Sequence, residues 1–181
     1  MTSFTLSDKV TISGAEYPIR TDFRVILEIF VMLDDPDLSD ADKTEALLRI
    51  FYVNRPPDAK AALQAFTDFV DPRHSQKAER KKQSPLIDWQ QDFDLTVAPI
   101  NHILGFECRA ADYLHWQTFL AAYLEIPPES VFARVLRIRE KLRTGKKLEK
   151  NERAWYNKNR ELVHLKPKFS TEEQKVLDAW T

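Results

Sequence analysis

The chain has 181 residues, enough for one domain or one domain with a small appendage, and its net charge of −1 is close to neutral. With 43% hydrophobic and 30% charged residues it is not a wholly disordered chain. Its 3 glycines argue against a Gly-rich phosphate cradle or a loop-rich β-sandwich, and its single cysteine, Cys108, excludes an internal disulfide framework. No apolar run approaches the ~20 residues that span a bilayer. The opening MTSFTLSDKV lacks the basic start and apolar run of a secretory signal. The expectation is therefore a cytoplasmic protein with no membrane partner. The charge is unevenly spread: residues 1–70 hold 7 Lys/Arg against 12 Asp/Glu, whereas residues 131–170 hold 13 against 4. Such asymmetry can steer an acidic partner or nucleic acid, set the register of self-association, or simply solvate helices.

Residues 4–20 read as a β-hairpin. Val10 and Ile12, then Tyr17 and Ile19, alternate with polar neighbours around a turn at Ser13–Glu16. Pro18 has no N–H to give a ladder, so its strand belongs at an edge. Because an isolated hairpin is marginal in water, this one must pack on a helix or on another chain's sheet. A first helix begins at Thr21–Asp22, a capping pair, with Phe23, Ile26, Leu27, Phe30 and Leu33 as its stripe. Ile29, Val31 and Met32 fall off that stripe and are the candidate partner-binding surface. Ser39 with Asp42 opens a second helix carrying Leu47, Leu48, Ile50 and Phe51. After Pro56–Pro57 a third helix places Ala62, Leu63, Phe66 and Val70 inward. Residues 71–85, polar and partly basic, read as an exposed linker.

The stretch Trp89–Leu124 reads as the centre of the core, two apolar helices joined by a short turn. Trp89, Phe93, Val97, Ile100 and Leu104 recur at helical spacing, with Gly105 placed to cap the end. Pro99 predicts a kink or break between Val97 and Ile100. Tyr113, Trp116, Leu120, Tyr123 and Leu124 make the second stripe, widened by Leu114 and Phe119. Aromatics carry the largest apolar area per residue, so Trp89, Phe93, His115, Trp116 and Phe119 are the expected structural core. A helix over 129–143 follows, then a charged helix over 148–162 with Trp155 and Leu162 on one face. A last short helix, opened by Ser170 and Glu173, carries Val176, Leu177 and Trp180.

No catalytic signature is present. Asp92 and Asp94 are two apart, point different ways from a helix, and read as surface charge. His102 and His115 have no ligand-spaced Cys or carboxylate beside them, so no metal or cofactor is expected; His115 reads as a partly buried imidazole bonded to backbone. Cys108 lacks a base held by a third group and reads as a small buried thiol. The basic segment 131–170, with Trp155 and Tyr156, carries a nucleic-acid-binding reading, but no known DNA-binding motif is legible in it.

Three segments together, TDFRVILEI (21–29), IDWQQDFDLTVAPINHILGF (87–106) and YLHWQTFLAAYLEIPPESVFARVLRIRE (113–140), resemble the bacteriophage "gene product fifteen" family of tail-morphogenesis proteins. The elements that carry the likeness are Asp22, Phe23 and Arg24; Leu114, His115, Trp116, Phe119 and Leu120; and Val135 with Arg139. Gln117 stands where a second tryptophan is usual, and Pro99 falls inside a helix. The resemblance implies a non-enzymatic tail assembly chaperone of the host bacterial cytoplasm. Its implied partners are the tape-measure protein and the tail-tube protein. A structural tail or baseplate component, and a nucleic-acid-binding regulator using residues 131–170, stay open as alternatives, and homo-oligomerisation is possible on either side. The expected fold is mainly α, about seven or eight helices with an N-terminal β-hairpin. Residues 1–143 would form the core domain and residues 144–181 a charged helical extension.

Overall fold

The computed structural model describes residues 5–71 and 85–180. Among them are a β-hairpin, β1 (Lys9–Ile12) and β2 (Ala15–Pro18), and the helices α1 (Phe23–Leu33), α2 (Asp40–Phe51), α3 (Ala59–Val70) and α4 (Trp89–Leu104). A 3-10 turn at Cys108–Ala110 precedes α5 (Trp116–Leu124), α6 (Val131–Arg143), α7 (Lys150–Lys158), α8 (Arg160–Val163) and α9 (Thr171–Asp178). The chain is mainly α with an N-terminal hairpin, as its sequence leads one to expect. The helices number nine among the described residues because the charged stretch 148–162 divides at Asn159, whose φ of −129° and ψ of 33° interrupt it. The linker expected at 71–85 lies, apart from Asp71 and Pro85, outside the described residues. Contacts group the chain into two compact units. One is Met1–Glu79, Asp112–Phe119 and Lys168–Thr181; the other is Arg80–Ala111 and Leu120–Pro167.

In the first unit the hairpin turns on two residues rather than four. Ser13 and Gly14 both have positive φ, 51° and 85°, so Ala15 and Glu16 belong to β2. A two-residue turn of this hand matches the twist of paired strands, which a longer loop does not require. Val10 faces Tyr17 and Lys9 faces Pro18. The hairpin packs on α3, and its outer edge is continued by the Pro18 carbonyl, which accepts the Val53 N–H at 3.0 Å, and by an Ile19–Tyr52 bridge. Pro18 thus sits on an edge strand where its missing donor is not needed.

The helices of this unit start where short polar side chains cap them: Asp22 for α1, Ser39 for α2 and Asp58 for α3. Their core is aromatic. Phe51 meets Tyr52, Phe66 and Phe69, while Phe30 meets Phe66 and Trp116. Phe23 stacks on Phe119 at 4.5 Å between ring centroids. Polar tips are satisfied where they enter this core. The Tyr52 hydroxyl donates to the Ala62 carbonyl at 2.8 Å, and the Trp116 indole N–H donates to the Val70 carbonyl at 3.2 Å. Burial pushes the Tyr52 phenol up to about 12.

In the second unit α4 is capped by Asp88 at its start and by Gly105, with φ of 77°, at its end. It runs through Pro99 without a break. Buried Val97 and Ile100 flank the proline, and their packing holds the helix across the missing N–H. Phe132, Val135 and Ile138 of α6 are buried, as is Val163 of α8. Trp89 lies against Tyr123, which in turn meets Phe132 edge-on.

The fully buried Phe119 gives the sharpest test of the aromatic core. Phe119→Ala is expected to cost about 3–5 kcal/mol, from lost burial plus the cavity left against Phe23. Urea unfolding followed by tryptophan fluorescence measures it, and a loss under about 1 kcal/mol would place Phe119 outside the core.

Candidate functional site

The family-marking residues of the first unit meet in one joint. The Asp22 carboxylate caps α1 by accepting the Arg24 N–H at 3.0 Å. It also accepts the Arg24 guanidinium at 2.8 and 2.7 Å and the Leu114 N–H at 3.2 Å. Backbone bonds lock the same segments: the Phe23 N–H to the Leu114 carbonyl at 2.9 Å, and the Trp116 N–H to the Thr21 carbonyl at 2.6 Å. Arg24 adds a bond to the Asp112 carbonyl at 2.9 Å. Burial alone would raise the Asp22 pKa. The hydrogen bonds from the Arg24 side chain and from the Arg24 and Leu114 N–H groups outweigh it, and the net direction is down.

His115, which bridges Asp22 across this joint, is buried with both ring nitrogens used. Nδ1 accepts the Gln117 N–H at 3.1 Å, so the proton sits on Nε2 and is donated to the Ser7 carbonyl at 3.2 Å. The imidazole is thus bonded to backbone, as its sequence setting suggests. Trp116 and Phe119 are buried beside it.

The second unit has its own joint, and here the surface reading of Asp92 is overturned. Asp94 is exposed, but Asp92 is 0% exposed. Its carboxylate is gripped by Arg139 of α6, Nη1 to Oδ2 at 2.6 Å and Nη2 to Oδ1 at 2.9 Å, and also accepts the Asp88 N–H at 2.9 Å. The remaining Arg139 donors go to the carbonyls of Val163, Leu86 and Leu162, at 2.6, 2.8 and 2.8 Å. Gln91, next to Asp92, clamps the same strand of chain: its Nε2 donates to the His164 carbonyl at 2.9 Å and its Oε1 accepts the Lys166 N–H at 3.0 Å. The signal in the sequence was phase. Asp92, Thr96 and Ile100 are spaced by four and all buried, so the inner face of α4 lies one position back from the Trp89–Phe93 stripe. Trp89 and Phe93 are accordingly half-buried.

Cys108 is a buried thiol whose pKa is pushed up by burial, which leaves it poorly nucleophilic. Beside it, Glu107 is held down at about 2 by the Arg109 side chain and N–H, and its other oxygen takes the Asn101 amide at 2.7 Å. His102 is exposed. Among the described residues no group of three or more His, Cys, Asp or Glu is placed to hold a metal ion.

The contact surface expected on α1 loses one member. Ile29 is fully buried, because it lies three residues on from Ile26 on the same side of α1 as Phe23 and Ile26; Val31 and Met32 are half-buried. The basic segment instead forms a cleft of about 430 Å³ in the second unit. Arg134, Arg137 and Lys141 of α6 line one wall, and Glu149, Asn151, Glu152 and Trp155 line the other. Arg134 lies over the Trp155 ring at 5.4 Å, and Arg160 over the Tyr156 ring at 5.6 Å. The Tyr156 hydroxyl bonds the His164 ring at 2.7 Å. Each aromatic therefore already has a guanidinium over its ring, which leaves less ring surface for stacking a nucleobase.

Two tests follow from the joints. Arg139→Ala, which leaves a buried carboxylate unpaired, is expected to cost about 3–5 kcal/mol, whereas the apolar pair Asp92→Leu with Arg139→Met costs less than either single change. Equal losses from single and double variants in urea unfolding would contradict a coupled pair. For Asp22, a folded pKa below the unfolded one contributes stability above the ordinary aspartate range that is lost as pH falls through the folded value. The stability gap between wild type and Asp22→Asn should be full at neutral pH and close on acidification; a gap independent of pH would refute the assignment.

No helix among the described residues is long and apolar enough to cross a membrane. Comparison with curated proteins and with solved structures gives no match. The family model described as Bacteriophage Gp15 protein matches residues 5–165, which takes in both joints and the cleft. With most of its length matched, the chain belongs to the bacteriophage Gp15 protein family.

Proposed function

We propose that this phage protein is a non-enzymatic tail assembly chaperone, which holds the tape-measure protein while tail-tube subunits polymerise around it in the host cytoplasm. The observation that carries this reading is the use to which the family-marking residues are put. Asp22, Arg24, His115 and Arg139 spend their polar groups on internal hydrogen bonds. What is left for a partner is surface. Ile103 and Phe106 near the end of α4, and Tyr113 before α5, are large apolar residues left exposed. An elongated helical client would lay its apolar face against residues of this kind. Many weak contacts along an elongated client would add by avidity and still yield to the advancing tube.

Co-expression with the tape-measure protein tests the proposal. The client should become soluble and co-purify with this chain, while mass spectrometry finds the chain absent from mature particles. A client indifferent to the chain would refute the chaperone role, and stoichiometric retention in particles would make the chain a structural tail component. Val31→Lys or Met32→Lys should weaken client capture several-fold while the helical circular dichroism is unchanged. Undiminished capture would remove α1 from the contact surface.

A further inference from the structure

The cleft of the second unit has a surplus of positive charge that its own walls do not use. Glu152 is taken by Lys141, at 2.6 and 2.7 Å, and Glu149 lies 3.9 Å from the same ammonium. Arg137 donates to the Pro128 carbonyl at 2.9 Å, and Arg134 rests on Trp155. Neither arginine lies within ion-pair distance of a carboxylate among the described residues, although the Arg137 charge contributes, after Lys141, to holding the Glu152 carboxyl down. Being three apart on α6 they share a face. A guanidinium held over an indole is partly ordered before it meets a carboxylate, because its stem no longer has to be fixed on binding. The chemistry that fits this cleft is a carboxylate beside an apolar side chain.

The first unit carries that combination at α9. The helix is opened by a full capping box from Ser170 and Glu173, yet none of its residues is buried. Glu172 and Val176 are four apart and share one side of α9, and Trp180 follows two residues past its end. Val176 is 58% and Trp180 87% exposed. A tryptophan left in water to that extent is the type of residue that dominates interfaces once covered. The helix is acidic as well: Glu172, Glu173 and Asp178 stand against Lys175. The Glu172–Lys175 pair, at 2.9 Å between two well-exposed side chains, holds that carboxylate only weakly.

We propose that α9 of one copy docks into the α6–α7 cleft of a second copy, Glu172 meeting Arg134 and Arg137 while Val176 and Trp180 cover the Trp155 side of the cleft. The charge of the two units favours this occupant over an unrelated protein. Over the described residues the first unit holds 9 Lys/Arg against 17 Asp/Glu, and the second holds 13 against 10. Every copy therefore carries an acidic donor and a basic acceptor. Because the donor and the acceptor are different surfaces, the contact either closes reciprocally between two copies or runs on into a ring or filament. It does not depend on what client the protein serves.

Sedimentation velocity over a concentration series tests it on the full chain. The wild type should associate as concentration rises, and salt should weaken the association. Arg134→Glu with Arg137→Glu should abolish it, as should Glu172→Lys, and Trp180→Ala. The deciding sample is an equimolar mixture of the two charge-reversed proteins. Each alone is expected to be monomeric, and the mixture is expected to regain association with the two proteins alternating, since the reversed cleft of one matches the reversed helix of the other and the unchanged helix of the first matches the unchanged cleft of the second. The α9 variants touch no buried residue, so circular dichroism should confirm an intact fold even if the α6 variant fails to fold. A wild type that stays monomeric at every concentration, association unmoved by the α9 substitutions, or a mixture of folded variants that stays monomeric would each overturn the proposal.

Discussion

A guanidinium and a carboxylate removed from water together set the terms for the second unit. Stripping each ion of its hydration costs several kcal/mol, about as much as their attraction returns unless every remaining donor is also satisfied. Arg139 meets that condition. Its five N–H donors reach both oxygens of Asp92 and three backbone carbonyls, those of Leu86, Leu162 and Val163. One side chain thereby joins the approach to α4, α4 itself, and the chain at α8. A core of leucines could supply similar stability. It would not specify which carbonyls must lie where, and the fan of fixed donors does so. In the first unit Asp22 works on a smaller scale, one carboxylate ordering the start of α1 against the segment before α5.

Local features of this fold were open to reading from sequence, whereas long-range ones were not. Caps at Asp22, Ser39, Ser170 and Gly105 depend on a few neighbouring residues, and each sits where its pattern places it. The buried thiol of Cys108 and the backbone-bonded imidazole of His115 were legible because no chemical partner stood near them. Asp92 was misread because its partner lies 47 residues away, and a carboxylate on a helix looks the same in sequence whether it faces water or an arginine. Ile29 was misplaced for a related reason: α1 is apolar around most of its circumference, so periodicity does not distinguish the covered side from the open one. Arg139 belonged to a recognised element, but its role emerged only when α6 was set against α4.

The division of labour between inside and outside carries the functional reading. The residues by which the family is recognised are consumed in holding the chain together. The proposed role therefore rests on shape and surface rather than on those residues. The exposed apolar residues at the end of α4, the acidic helix α9 and the basic cleft beside Trp155 are the places where that surface departs from an inert one. Each is chemically suited to a protein partner, and the rings of the basic segment are partly covered by arginines of the same chain.

The central claim, that Asp92 and Arg139 serve the fold and not a reaction or a partner, is tested most directly by particle yield. A phage carrying Asp92→Leu with Arg139→Met would be compared with the wild type for infectious particles per cell, alongside the amount of folded protein it makes. The account predicts that yield follows the amount of folded protein. A variant as abundant and as stable as the wild type that nevertheless yields no infectious particles would contradict it.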